Sequence, residues 1–192
     1  MPSADPDPLD PSQRRTLLAL VRQSIGHGLD QDGPLPVVPS DHPADLRARR
    51  ATFVTLETGG ALRGCIGHLE VVQPLVLDVA ENAFAAAFRD PRFRPLTRPE
   101  LARLPIEILV LTPSRPLSFT SEEVLLRMIE PGRDGLILEE GAARGTFLPT
   151  IWESLPEPRA FLRHLKQKAG LRPDHWSDRV RVRRYRTESF SE

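Results

Sequence analysis

Residues 51–67 read "ATFVTLETGGALRGCIG", and the fold is decided here. "ATFVTLE" is rich in β-branched and aromatic residues and predicts a strand. "TGG" is a turn, and "ALRGCIG" is the returning strand. In an extended second arm, Arg63, Cys65 and Gly67 face one way, while Leu62, Gly64 and Ile66 face the core. Arg63 and Cys65 then lie roughly 7 Å apart along the strand. A guanidinium at that range favours the thiolate, so Cys65 is expected to be accessible with a depressed pKa. Gly64 and Gly67 leave the backbone bare for close approach of a ligand, or mark a bulge. His68 joins the thiol only if Gly67 turns the chain. The same residues also fit a structural reading, with Cys65 as a small buried hydrophobe.

Outward from this hairpin, helices and hairpins mix without a βαβ rhythm. "SQRRTLLALVRQSIGHGL", from Ser12, predicts a first helix capped by Ser12, with Leu17, Leu20, Val21 and Ile25 on one face. "PLVLDVAENAFAAAFRD" predicts a second, covering the hairpin with Val76, Val79, Ala83 and Phe84. "IEILVLT" is a strand, "SEEVLLRMI" a short helix capped by Ser121, and "GLILEEGAARGTFLP" another hairpin. "PEPRAFLRHLKQKAG" is a helix that Gly170 stops, and "DRVRVRRYR" alternates as an edge strand does. The expected class is α+β with an antiparallel sheet and flanking helices.

The composition excludes several roles. The chain has 192 residues, with 26 basic and 26 acidic side chains, so no global field recruits nucleic acid or a membrane. The single cysteine excludes an internal disulfide and fits a reducing, cytoplasmic setting. No apolar run approaches the ~18 residues of a membrane span. Residues 1–11 carry acidic groups and prolines without an apolar core, so they read as a disordered tail and not as a signal peptide. Residues 12–190 are expected to form one domain. No paired cysteine, HxxxH or dense acidic cluster offers a metal site. No iron–sulfur, dinucleotide or phosphate-loop motif offers a cofactor site.

Other residues stand out. Asp90, Arg92 and Arg94 sit on a loop after the alanine-rich helix, fitted either to bind a ligand or to tie the loop together. Asn82 beside the apolar stripe reads as a latch to the hairpin or as a substrate contact. Asp134 reads as a turn residue, Trp152 as core, and Glu153 as a group that can reach a cleft. Residues 159–186 hold ten Lys/Arg against two Asp. Arg179, Arg181 and Arg183 can grip phosphates there or keep an edge strand from pairing.

"LRGCIG", residues 62–67, resembles the hallmark hexapeptide of the AMMECR-type domain, also called AmmeMemoRadiSam system protein A. "ENAFAAAFRDPRFRPLT", "GRDGLIL", "GTFLPTIWE" and "KAGLRPDHW" resemble further blocks of that family in its order, so the likeness spans residues 12–190. The resemblance implies two lobes around a cleft lined by the hexapeptide. It implies partners as well, a Memo-type protein and a radical S-adenosylmethionine protein of a shared modification pathway, but no settled reaction and no substrate. The family pattern often carries a second cysteine just before "KAGL", where this chain has Lys166 or Gln167, so a thiol pair is not implied. On this reading Cys65 is the nucleophile or covalent carrier, with Arg63 and His68 assisting. Gly64, Gly67, Asn82, Asp90, Arg92 and Glu153 bind the ligand. The alternative is a non-catalytic adaptor whose hexapeptide strand receives a peptide or small ligand.

Overall fold

Asp10, two residues ahead of Ser12, caps the first helix of this computed structural model, which describes residues 8–192. Its carboxylate accepts the N–H groups of Ser12 (2.7 Å) and Gln13 (2.8 Å), and Gln13 Oε1 accepts the Asp10 N–H in return. This capping box satisfies donors that the helix leaves open, and Pro11 supplies a φ suited to the first turn. Helix α1 therefore runs Pro11–Gln31. Leu9 is already buried, and its N–H bonds the Glu188 carboxylate. The chain is thus packed from Leu9 onward, earlier than the expected tail boundary. Residues 1–7 of that expected tail lie outside the described residues.

The chain divides into two compact units, one reaching Thr112 and including Glu188–Glu192, the other Pro113–Thr187. In the first unit, α2 is Ala44–Arg47, β1 Thr52–Thr58, β2 Ala61–Gly67, α3 Leu75–Phe88, α4 Arg98–Leu101 and β3 Ile106–Leu111. In chain order β8, Thr187–Ser191, comes last, and it completes the sheet β2-β1-β3-β8. Strands β1 and β2 pair antiparallel across a turn in which Gly59 and Gly60 take positive φ, as the hairpin reading expects. Helix α3 is buried on almost every side. It meets the sheet where Asp78 and Asn82 bond Thr52 and where Ala86 stands against Gly64, whereas Phe84, expected on that face, packs beside Gly28 of α1, and Ser24 of α1 donates to the Ala80 carbonyl at 2.7 Å. A helix buried on nearly every side packs between two layers, and α3 sits between α1 and the sheet.

The second unit holds β4 Arg115–Pro116, α5 Glu122–Met128, β5 Gly135–Glu140, β6 Ala143–Phe147, α6 Pro158–Lys168 and β7 Arg181–Tyr185. Its sheet runs β4-β7-β5-β6. Strand β7 is therefore interior along part of its length, with β5 on one side and two residues of β4 on the other. The expectation of an edge strand rested on its arginines, but Val180 and Val182 are buried between them and the arginines find local acceptors. Ser121 caps α5 as its sequence predicts, and Gly170, at φ +86, ends the α6 region. Trp152 stacks on Phe161 at 3.8 Å and is core, its indole N–H donating to the Asp134 carbonyl.

Candidate functional site

The hairpin register sets the site. Thr55 stands opposite Cys65 and Leu56 opposite Gly64, but Glu57 stands opposite Leu62. Arg63 is the extra residue of a bulge. A bulge shifts which face each following side chain takes, so Leu62 turns outward and is 43% exposed instead of serving the core. Ile66 does pack against the core. A Cβ on Gly64 would stand 2.2 Å from the Ala86 carbonyl oxygen of α3, and one on Gly67 would stand 2.3 Å from the Thr52 carbonyl. The space at both glycines is filled by the chain itself, which accounts for them without a ligand.

Cys65 is half-buried and unbridged. The Thr55 hydroxyl donates to its Sγ at 3.3 Å. Strand β2 forms one edge of its sheet, and the main chain of Cys65 is met there by side chains in place of a further strand. Its N–H donates to Asp90 Oδ2 at 2.9 Å, and its carbonyl accepts Arg92 Nη2 at 3.1 Å. Asp90 in turn accepts Arg92 N (3.1 Å), Nε (2.9 Å) and Nη2 (2.7 Å). The Arg92 guanidinium, joined by the backbone donors, holds the Asp90 carboxyl far below the usual carboxylate range. Asp90 thereby raises the Arg92 pKa.

Arg63 is directed elsewhere. Its Nε and Nη2 donate to the two oxygens of Glu100 at 2.8 and 3.4 Å. Glu100 also accepts the N–H and hydroxyl of Thr97, both at 2.7 Å, closing the capping box of α4. Arg63 foremost, then Thr97, pull the Glu100 carboxyl down to about 2. The pairing expected between Arg63 and the thiol is thus replaced by an ion pair with Glu100, and the guanidinium that meets Cys65 is Arg92.

His68 lies on the other side of the sheet. Its Nε2 is 2.9 Å from Asp78 Oδ1, and its Nδ1 is 2.7 Å from the Glu70 carbonyl. Asp78 and Asn82 project from α3 and meet Thr52, whose hydroxyl donates to Asp78 Oδ2 at 2.6 Å. Asn82 Nδ2 donates to the Thr52 carbonyl (3.2 Å), the Thr52 hydroxyl (3.0 Å) and Asp78 Oδ2 (3.0 Å). Burial pushes the Asp78 carboxyl up, against the Thr52 hydrogen bond and the His68 charge. Alternation along β1 puts Thr52 and Thr55 on opposite faces, so the His68 cluster and the Cys65 thiol are separated by the sheet. Gly67 does not bring the imidazole to the thiol, and Asn82 latches α3 to β1.

Of the remaining expected residues, Glu153 is exposed in the second unit at the end of the turn Pro149–Glu153. Asp134 is fully buried and accepts the Glu130 N–H at 2.8 Å, with Arg184 at 3.5 Å. Lys166 is buried with Nζ 2.8 Å from Glu122. An open groove of about 570 Å3 in this unit is lined by Leu117, Phe119, Trp176 and Arg181 among others. No group of three or more metal-binding side chains occurs among the described residues, and no helix of the structure is long and apolar enough to cross a membrane. Sequence reasoning missed Thr55, although counting back across the "TGG" turn sets it near Cys65.

A family model described as AMMECR1 matches residues 18–190. A protein of Methanothermobacter thermautotrophicus is 41% identical, the match covering 96% of this chain and 97% of that one. A protein of Thermofilum pendens is 38% identical, with 92% and 88% covered. Among solved structures, the crystal structure of uncharacterized protein PH0010 from Pyrococcus horikoshii is similar, with TM-score 0.74 and 35% identity over 92% of this chain and 90% of that one.

Proposed function

This chain belongs to the AMMECR1 family, and we propose that it is a cofactor-free component of a modification pathway, working beside a Memo-type protein and a radical S-adenosylmethionine protein. In this reading Cys65 is a positioned thiol that carries or contacts the group being handled, and chemistry that needs a base is supplied by a partner. One observation supports it above the others. The main chain of Cys65 is fastened on both sides by Asp90 and Arg92 and its sulfur by Thr55, while the imidazole that the sequence offered lies across the sheet. A carrier needs a thiol held in place; a self-sufficient nucleophile needs a proton acceptor within hydrogen-bond reach as well. Arg92, half-exposed and charged next to the thiol, is the group that would meet an acidic substrate or partner.

The adaptor reading uses the same face without covalent chemistry. Cys65→Ser and Cys65→Ala separate the two. As a carrier, both variants lose pathway output while pull-down of the two partner proteins survives. As an adaptor, Cys65→Ser keeps output and Arg92→Ala abolishes pull-down. Wild-type behaviour of all three variants in both assays contradicts any role for this face.

A further inference from the structure

The described residues bury five charged side chains, and four of them have partners. Asp78 has His68 and Thr52, Asp90 has Arg92, Asp134 has the Glu130 N–H, and Lys166 has Glu122. Arg50 is the exception. It is 6% exposed, and it makes no hydrogen bond or ion pair among the described residues. A guanidinium has five donors and cannot shed its charge, so with the stem buried and no protein acceptor its open tip is left for water or a ligand to satisfy. Natural structures pair such groups with protein, water or a ligand.

Its backbone is fixed on both sides. The Ala48 carbonyl accepts Leu75 N at 2.9 Å, Arg49 bridges Pro74, and the Ala51 carbonyl accepts Leu111 N at 2.9 Å. The side chain therefore leaves a main chain that is hydrogen-bonded on both sides. The orphaned nitrogens sealed from solvent belong to other residues, among them Arg63 Nη1, so the tip of Arg50 keeps an opening. A covered stem on a fixed backbone, with an unpaired fork at an opening, is the arrangement of a preorganised anion-binding arginine.

We propose that Arg50 anchors a site for an oxyanion, the carboxylate or phosphate group of a small molecule or peptide, which completes the hydrogen bonds of its guanidinium. The site is independent of the role given to Cys65: it stands if the thiol is inert, and it falls without affecting the thiol.

The test is thermal unfolding of the full chain at matched ionic strength, with inorganic phosphate in one arm and succinate in the other. Wild type should gain melting temperature saturably with at least one of them, and the arm that responds identifies the group. Arg50→Met keeps the stem apolar; it should melt at or above wild type without anion and show no response. Arg50→Lys should keep the fold and bind about tenfold or more weakly, since an ammonium cannot reproduce the two-pronged contact. No response of wild type to either anion overturns the proposal. So does a response of Arg50→Met equal to that of wild type, which puts the anion elsewhere. If Arg50→Met fails to fold, Arg50→Lys decides, and an anion affinity equal to wild type overturns the proposal.

Discussion

Arg63 is two positions from Cys65 in the chain, yet its guanidinium closes on Glu100 because the bulge adds one residue to β2 just there. The hexapeptide was legible as a strand from its alternation. The bulge was not, since it depends on how β2 counts against β1 and leaves no mark in either strand alone. A pH prediction follows from the pair. Glu100 ionises at about 2 in the folded chain, below the usual range, so the pair's contribution is complete above the ordinary Glu pKa and is lost as pH falls through about 2. In urea titrations, Arg63→Gln should flatten this acid loss relative to wild type; identical acid limbs would disprove it. Gly64 gives a second prediction at this scale. With Ala86 O standing where a Cβ would be, Gly64→Ala should cost roughly 2 kcal/mol or more by overpacking, whereas an exposed change such as Leu62→Thr should cost about 0.5 kcal/mol or less.

Between elements, two polar clusters do what apolar packing leaves undone. Asn82, Thr52 and Asp78 tie α3 to β1, and Asn82→Ala should cost about 1–3 kcal/mol by leaving buried acceptors unmet. An unchanged urea midpoint would remove the latch from this account. On the sheet edge, Asp90 and Arg92 stand where a second neighbour of β2 would be. Amide exchange at Cys65 should be slow in wild type and fast in Asp90→Ala, with the other β2 amides little altered; equal rates would mean that Asp90 does not hold the strand. The elements themselves were readable: α3 from its helical stripe, β1 and β2 from their turn, α5 from Ser121. The interior place of β7 was not, because its alternating arginines look the same whether they face solvent or, as in Arg183 with Ser114, a local acceptor. The first helix was misplaced at its start because Asp10 and Ser12 are both good caps, and Pro11 between them decides for Asp10.

At the scale of the whole molecule, the chain is an α+β protein of two antiparallel four-stranded sheets, in a family with a solved structure of the same fold. Each unit has its own buried cluster, and both tryptophans lie in the second while the cysteine lies in the first. Tryptophan emission and Cys65 labelling therefore report different units. Family membership was legible because five sequence blocks keep their order; the geometry around the thiol was not, because it is made by residues 10, 25 and 27 positions away in the chain. The account rests on a thiol that is held in place and reachable. Intact-mass measurement of the native chain after brief treatment with iodoacetamide tests this most directly, since Cys65 is the only cysteine. The account predicts a single adduct on the folded protein, blocked when a native pathway partner is bound. A chain that takes up label only after unfolding would contradict it and leave Cys65 as a structural residue.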